Sequence, residues 1–290
     1  MSATALTWGV ERRLEFIEFR LFWEGGVNRS DIIDRFGVSV PQASKDLTQY
    51  QELAPTNARY DKSARRYVAG DGFTPVFLRP DPDTYLTQLR HLAESLVGDS
   101  ESWLVAPPAV DVALTPHRAV DGTVLRAVLA ALRDERAVEV RYQSMNPTRP
   151  DPVWRRISPH AFGHDGLRWH VRAWCHDSER FKDFLLPRIL DVGAQADRAR
   201  GGAEDTAWQT FYDLAIIPHP GLSAAQQAVV ARDYGMTDGR ALFPVRNAML
   251  FYVLRRLGLL EDGRSKDPRL QHIVAEDAAS LERALAEAGT

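Results

Sequence analysis

Apolar residues recur at helical spacing from Glu11 to Glu24: Leu14, Ile17, Leu21 and Phe22, with Phe16, Phe19 and Trp23 widening the stripe. That pattern predicts a well-buried first helix, stopped by Gly25-Gly26. Asn28 is suited to cap a short second helix through Ile32, Ile33 and Phe36, and Gly37 supplies the left-handed residue that ends it. Ser39 caps a third helix through Ala43, Leu47 and Tyr50 toward Leu53, with Pro41 in the first turn, where a missing N–H costs nothing. Ala58-Arg59-Tyr60, a turn over Asp61 to Ala64 and Arg65-Arg66-Tyr67-Val68 then predict a hairpin with a basic tip. Helix, capped turn, Pro-initiated helix and hairpin follow one another in the order of a winged helix-turn-helix.

Pro75, Pro80 and Pro82 punctuate the exit from the hairpin, and Tyr85, Leu89, Leu92 and Leu96 predict a connecting helix ended by Gly98. Trp103 to Ala119 reads as Pro-rich extended chain packed on a neighbour. A helix through Val124, Leu125, Val128, Leu129 and Leu132 leads to a strand at Val138 to Tyr142, with Ser144 of the same parity if the strand continues. Arg155 to Phe162, the turn Gly163 to Gly166 and the octapeptide Leu167 to Trp174 predict an antiparallel hairpin, in which Pro159 requires an edge or a bulge. The octapeptide alternates with period two. Leu167, Trp169, Val171 and Ala173 are expected in the core, and Arg168, His170 and Arg172 on the opposite face. A further strand is expected over Phe181 to Ile189. Beyond Gly201-Gly202 come a strand-like Leu214 to Ile217, a helix from Ser223 through Val230, a helix from Val245 to Leu257 whose stripe includes Arg246, and a solvated terminal helix from Ala275 to Ala288. The expected domains are residues 1–80, a helical linker 81–121, a sheet domain 122–200 and a compact α/β extension 201–290.

The 290 residues suffice for two or three cores, and 44% hydrophobic content is ordinary for a globular chain. Thirty-six Lys and Arg against 39 Asp and Glu give a net charge of −3, so contact with nucleic acid has to come from a local patch. One cysteine, Cys175, excludes an intramolecular disulfide, and no apolar run reaches the ~20 residues that span a bilayer. With no secretory signal visible at the N-terminus, a cytoplasmic location and no membrane partner are expected.

Two surfaces carry candidate chemistry. The outer face of the third helix offers Gln42, Ser44, Lys45, Thr48 and Gln49, short polar side chains that reach base edges and phosphates, with Ser39 at its start. Lys62, Arg65 and Arg66 would contact phosphate from the hairpin, and Arg29 and Ser30 sit at a helix N-terminus, where backbone N–H groups favour an anion. A purely structural or protein-binding helix-turn-helix is the bland alternative. The second surface is the donor row Arg168, His170 and Arg172, suited to an anion or simply solvated. His160, His164, His170, Cys175 and His176 fall within seventeen residues. A hairpin there keeps His160 and His164 from stacking, and strand parity separates Cys175 from His170 and His176, so no metal site and no cofactor are expected. Gly-rich phosphate loops, nucleophile elbows and paired-carboxylate motifs are lacking, so the chain is not expected to be an enzyme. Its rival reading is a nucleotide-processing enzyme working on the donor face.

Assembled, these stretches resemble the WYL-domain transcriptional regulators, most closely the BREX- and CBASS-associated phage-defence repressors of the BrxR and CapW type. The likeness covers essentially the whole chain. Trp169-His170-Val171 stands where the family has Trp-Tyr-Leu; Tyr142-x-Ser144, Arg156 to His160 and Leu186 to Ile189 match other family stretches. Asn28 to Asp31 and Phe36 to Ser39 look like its winged reader. His219-Pro220, Asp233 to Met236 and Val245-Arg246-x-Ala248-Met249 look like its C-terminal extension, called WCX. The resemblance implies an α+β multidomain chain: winged helix, SH3- or Sm-like β-barrel and α/β WCX extension. It implies a homodimeric repressor on duplex operator DNA, or an activator of the same architecture, released by a nucleotide or nucleic-acid effector. Carried over, the effector residues are Tyr142, Ser144, His160 and Arg188, beside Arg168, His170 and Arg172 from parity.

Overall fold

A computed structural model describes residues 6–95, 102–113, 116, 118–148, 150–260 and 266–287. The chain divides into two compact units, residues 1–115 and 116–290. Among the described residues no helix is long and apolar enough to cross a membrane.

In the first unit α1 (Trp8–Glu24) lays Leu14, Phe16, Ile17, Phe19 and Leu21 into a core shared with α2 (Arg29–Phe36) and α3 (Val40–Leu53). The caps are those expected from the sequence. Asn28 accepts the Asp31 N–H in a reciprocal capping box, Ser39 accepts the Gln42 N–H, and Gly37 turns the chain at φ 63°. Strands β1 (Ala58–Asp61) and β2 (Arg66–Ala69) form the wing, which an isolated bridge from Val27 to Tyr67 ties to the start of α2. The connecting helix, α4 (Pro82–Ala93), takes Pro82 into its first turn; Leu96 and Gly98 lie outside the described residues. Leu89, Trp103 and Leu104 join the core of α1, so the Pro-rich stretch begins as packed chain.

One buried carboxylate organises this unit. Glu18 is fully buried in the apolar stripe of α1, where it accepts the N–H groups of Val76, Phe77 and Leu78 at 2.9, 2.6 and 2.6 Å. The Tyr50 hydroxyl donates to it at 3.0 Å and the Asn57 amide at 3.3 Å. Burial, with the carboxylate beside it, raises the Tyr50 phenol well above its ordinary pKa, so it stays a donor. Helix, wing base and exit segment are thereby held by one side chain. Glu18→Gln keeps the shape but turns half of the acceptor into a donor among donors; urea denaturation should show a loss of about 1–3 kcal/mol. An unchanged midpoint would mean that the strap holds without it.

In the second unit α5 (Gly122–Arg133) packs on a five-stranded antiparallel sheet, β3 (Arg136–Tyr142), β4 (Val153–His164), β5 (Trp169–Cys175), β6 (Arg180–Leu185) and β7 (Ile189–Asp197), in the order β6-β5-β4-β3-β7. The β4–β5 hairpin carries a register shift between Pro159 and Ala161, the bulge that proline demanded. The strand expected over Phe181 to Ile189 breaks into β6, a 3-10 turn at Leu186–Arg188 and β7, because Pro187 cannot donate to a ladder. β3 ends at Tyr142, which leaves Ser144 in a loop.

Among the described residues no ladder joins β6 to β7, so the expected barrel is an open sheet. It is nevertheless rolled. Flat, five strands would hold their edges about 19 Å apart. The four Cα steps from Leu185 to Ile189 span at most about 15 Å.

The C-terminal segment is also antiparallel, in the order β10-β8-β9, which makes it α+β rather than the α/β unit expected. β8 (Phe211–Pro218), β9 (Ala241–Arg246) and β10 (Ile273–Ala275) support α7 (Ala224–Asp233), α8 (Asn247–Leu257) and α9 (Ala278–Glu287). Val245 and Arg246 end a strand instead of opening a helix. The terminal helix is not simply solvated, since Leu281 and Ala284 are buried in the core formed by Leu214, Ile216, Leu250 and Leu254.

Candidate functional site

Helix α3 buries Ala43, Asp46, Leu47 and Tyr50 and leaves Lys45 and Thr48 exposed, with Gln42, Ser44 and Gln49 half-buried at the margins. Asp46 is fully buried and takes Arg13 at 2.6 and 3.2 Å and the Gln42 amide at 2.8 Å, which anchors Gln42 to the helix body. The Arg29 guanidinium reaches the Ser44 hydroxyl at 3.4 Å, and the Ser30 hydroxyl donates to the Asn28 side chain. At the wing tip Asp61 accepts the N–H groups of Ser63 and Ala64, and Arg65 adopts φ 54°, a left-handed conformation unusual for a side chain this large. Lys62 and Arg65 stand exposed beside half-buried Arg66. A cleft of about 230 Å³ lies between Asn28-Arg29-Ser30 and Tyr60, Arg65, Arg66 and Tyr67. Cations from the wing and the second helix thus converge next to the polar face of the third.

On β5 both faces are buried from His170 to Ala173. Val171, Ala173 and Cys175 fill the core as parity predicts, whereas Leu167 and Trp169, expected beside them, are 55% and 52% exposed. The opposite row is buried at His170 and Arg172, half-buried at Arg168, and already paired. Asp165 accepts from Arg168 at 2.9 Å and contacts the His170 ring nitrogen at 3.1 Å. Arg172 grips Asp205 through two nitrogens, at 2.7 and 3.1 Å, and reaches Asp183 at 3.3 Å. His160 Nε2 lies 2.9 Å from the same Asp205. Burial alone would raise both carboxyls. Hydrogen bonds from His170, Leu167 and Arg168 outweigh it at Asp165 and hold that group well below the usual range. At Asp205, His160 and Arg172 outweigh burial and bring the group down to about 2. Two arginines and two histidines thus face three aspartates, which leaves this row no charge for an outside anion.

The network also joins segments. Asp205 caps the single turn α6 (Thr206–Gln209), whose Trp208 carries the Arg246 guanidinium on its ring at 4.9 Å. Tyr252 on α8 donates to Asp183 at 3.0 Å and rests on the His170 ring at 4.6 Å. The Asp183 charge and burial both keep the Tyr252 phenol protonated, burial being the larger effect. Charged links therefore run from the central sheet into the C-terminal segment.

The remaining candidates gather at one corner. Tyr142 packs edge-on against Phe184 at 5.1 Å, and its hydroxyl accepts the Leu185 N–H at 3.3 Å. Ser144 accepts the Asn146 N–H at 3.1 Å. Arg188 sits half-buried in the 3-10 turn, its carbonyl accepting the Gln143 N–H at 3.0 Å. Of the predicted effector residues that carry full charge, Arg188 is the one whose side chain has no hydrogen bond or ion pair with the described residues. The histidines and Cys175 do not converge on a metal: His176 contacts Ser158 at 2.8 Å, His164 accepts the Gly166 N–H, and Cys175 is buried in the core.

Asp165, Asp183, Asp205, Tyr252 and Glu18 are the groups that periodicity alone did not identify. Glu18 had a readable signal, a carboxylate one turn from Leu14 inside an apolar stripe. The aspartates had none, since Asp165 looks like a turn residue and Asp205 like a boundary charge.

Three family models match the chain: the winged helix-turn-helix domain of the BrxR transcriptional regulator over residues 9–91, the WYL domain over 123–194, and the BrxR C-terminal dimerization domain over 211–281. A DNA-binding transcriptional repressor CapW of Stenotrophomonas maltophilia is 42% identical, with 98% of this chain and 95% of that protein covered. The CapW repressor of Escherichia coli strain KTE188 is 43% identical over 90% of this chain and 87% of its own length. That of Pseudomonas aeruginosa is 42% identical over 91% and 87%. With these relatives 42–43% identical over 90–98% of the chain and the three domain matches in the same order, the chain belongs to the BrxR and CapW family of WYL-domain transcriptional regulators.

Proposed function

We propose that the chain is a homodimeric repressor of a phage-defence operon, acting in the cytoplasm on an inverted-repeat operator and released by a nucleotide or nucleic-acid fragment. The observation that carries the DNA-reading part is the polar outer face of α3 flanked by Arg65, Arg66 and Arg29. Lys45, Thr48 and Gln49 read base edges, Ser39, Gln42 and Ser44 fix the helix and its neighbours, and Lys62, Arg65, Arg66, Arg29 and Ser30 hold phosphates. Relatives named as DNA-binding transcriptional repressors support the sign of the regulation.

The effector binds at the corner of Tyr142, Ser144 and Arg188, since the row Arg168, His170 and Arg172, with His160, is neutralised from within. That row positions instead of binding: it ties the sheet next to Arg188 to Tyr252 and Asp205, and so to the matched dimerization segment. Tenfold release requires about 1.4 kcal/mol of differential effector affinity. One charge-assisted bond to Arg188 supplies roughly 1.5–3 kcal/mol. A nuclease footprint of the region upstream of the neighbouring operon tests the reading: two protected half-sites about 10.5 base pairs apart, or a multiple of that, are expected. A single protected half-site at saturating protein would contradict the dimeric operator.

A further inference from the structure

The first unit contains a second cavity, on the body of the winged helix and away from its polar α3 face. It holds about 330 Å³, roughly ten times a water molecule's share of liquid volume and within the range of small-molecule sites. One stripe of α1, Arg12, Glu15, Phe19 and Trp23 at spacings of three and four, forms one wall. One face of α4, Thr84, Tyr85, Gln88 and His91, forms the other.

The walls are aromatic. Trp23 stacks on Tyr85 at 4.8 Å and 25°, and Phe19 meets Trp103 edge-on at 5.5 Å and Tyr85 at 6.1 Å. Phe19 and Trp103 are buried and form the floor; Trp23 and Tyr85 are half-buried and keep ring surface toward the opening. Both acids in the lining are already engaged. Glu15 pairs with Arg12 at 2.7 Å, and Asp81 caps α4 through the N–H groups of Asp83 and Thr84. Arg79 and His91 have no side-chain hydrogen bond or ion pair with the described residues. Stacking surface below and uncommitted donors at the rim suit one kind of guest.

We propose that this cavity binds one planar aromatic base carrying an anionic group, of the size of a nucleoside monophosphate. The ring lies against Trp23, Tyr85 and Phe19, and the anion takes Arg79 and His91. This site is independent of the effector corner at Arg188, and its test separates the two.

Full-length protein is titrated by calorimetry with adenosine monophosphate, adenosine and inorganic phosphate. The monophosphate should bind with a dissociation constant below about 1 mM, and adenosine and phosphate each at least about tenfold more weakly. Gln88→Trp, which fills the cavity, should abolish this binding and Arg79→Ala should weaken it about tenfold, each read in an Arg188→Ala background so that the effector corner does not contribute. Circular dichroism confirms that each variant is folded, and Arg79 is an exposed residue whose loss leaves the aromatic core intact. Failure of the monophosphate to bind the Arg188→Ala protein overturns the proposal, as does binding that survives both added substitutions.

Discussion

Asp205→Ala should destabilise the full-length protein by about 3 kcal/mol, read as an early denaturant transition, because it takes the two-nitrogen partner from buried Arg172, which keeps only Asp183 at 3.3 Å, and the carboxylate from half-buried His160. Asp205 is 1% exposed, and Arg172, which holds it through two nitrogens, is 8% exposed. Removing one partner leaves the other charge with no water to replace it. Asp197→Ala is the control: that aspartate also pairs with an arginine, Arg136 at 2.5 Å, but in solvent, and its loss should cost less than about 1 kcal/mol. The same carboxyl sets a pH dependence. Its pKa is about 2 in the folded chain and near the ordinary 3.8 when unfolded, so its contribution is fully present above pH 4. It disappears as pH falls from 4 toward 2, about 2 kcal/mol in all, and the Asp205→Ala variant should have a shallower acid limb. Equal acid limbs would remove Asp205 from the account.

Arg65→Ala combined with Arg66→Ala should weaken operator binding and lower the slope of log K against log salt by about two, since each phosphate contact contributes roughly 0.9. Both arginines stand at the wing, next to the cleft that Asn28, Arg29 and Ser30 complete. Because such contacts carry no sequence information, affinity for a scrambled duplex should fall in parallel. Arg133→Ala, which removes an exposed guanidinium from the second unit, should leave the slope unchanged. A slope unaltered in the double variant would take the wing away from the phosphate backbone.

The first unit was legible because its signals are local. Caps at Asn28 and Ser39, the stops at Gly25 and Gly37 and the basic hairpin are each decided within a few residues. The central sheet was legible in its hairpin and in the bulge at Pro159, but β7 was missed because Ile189 is its one buried residue, which leaves no apolar-in, polar-out alternation to read. Parity assigned Arg168, His170 and Arg172 to one face correctly. It could not say what lies opposite, because Asp183 and Asp205 arrive from 11 and 33 residues beyond Arg172. A row of donors reads the same in sequence whether it awaits an anion or already has three carboxylates.

That distinction bears on the central claim, that release from DNA works through Arg188 and not through the neutralised row. The direct measurement is operator affinity, by fluorescence anisotropy, with and without short oligonucleotides, for the intact protein and Arg188→Ala. We expect equal affinity of the two for DNA alone and at least about tenfold weakening by the oligonucleotide for the intact protein only. Equal weakening in both proteins would contradict it.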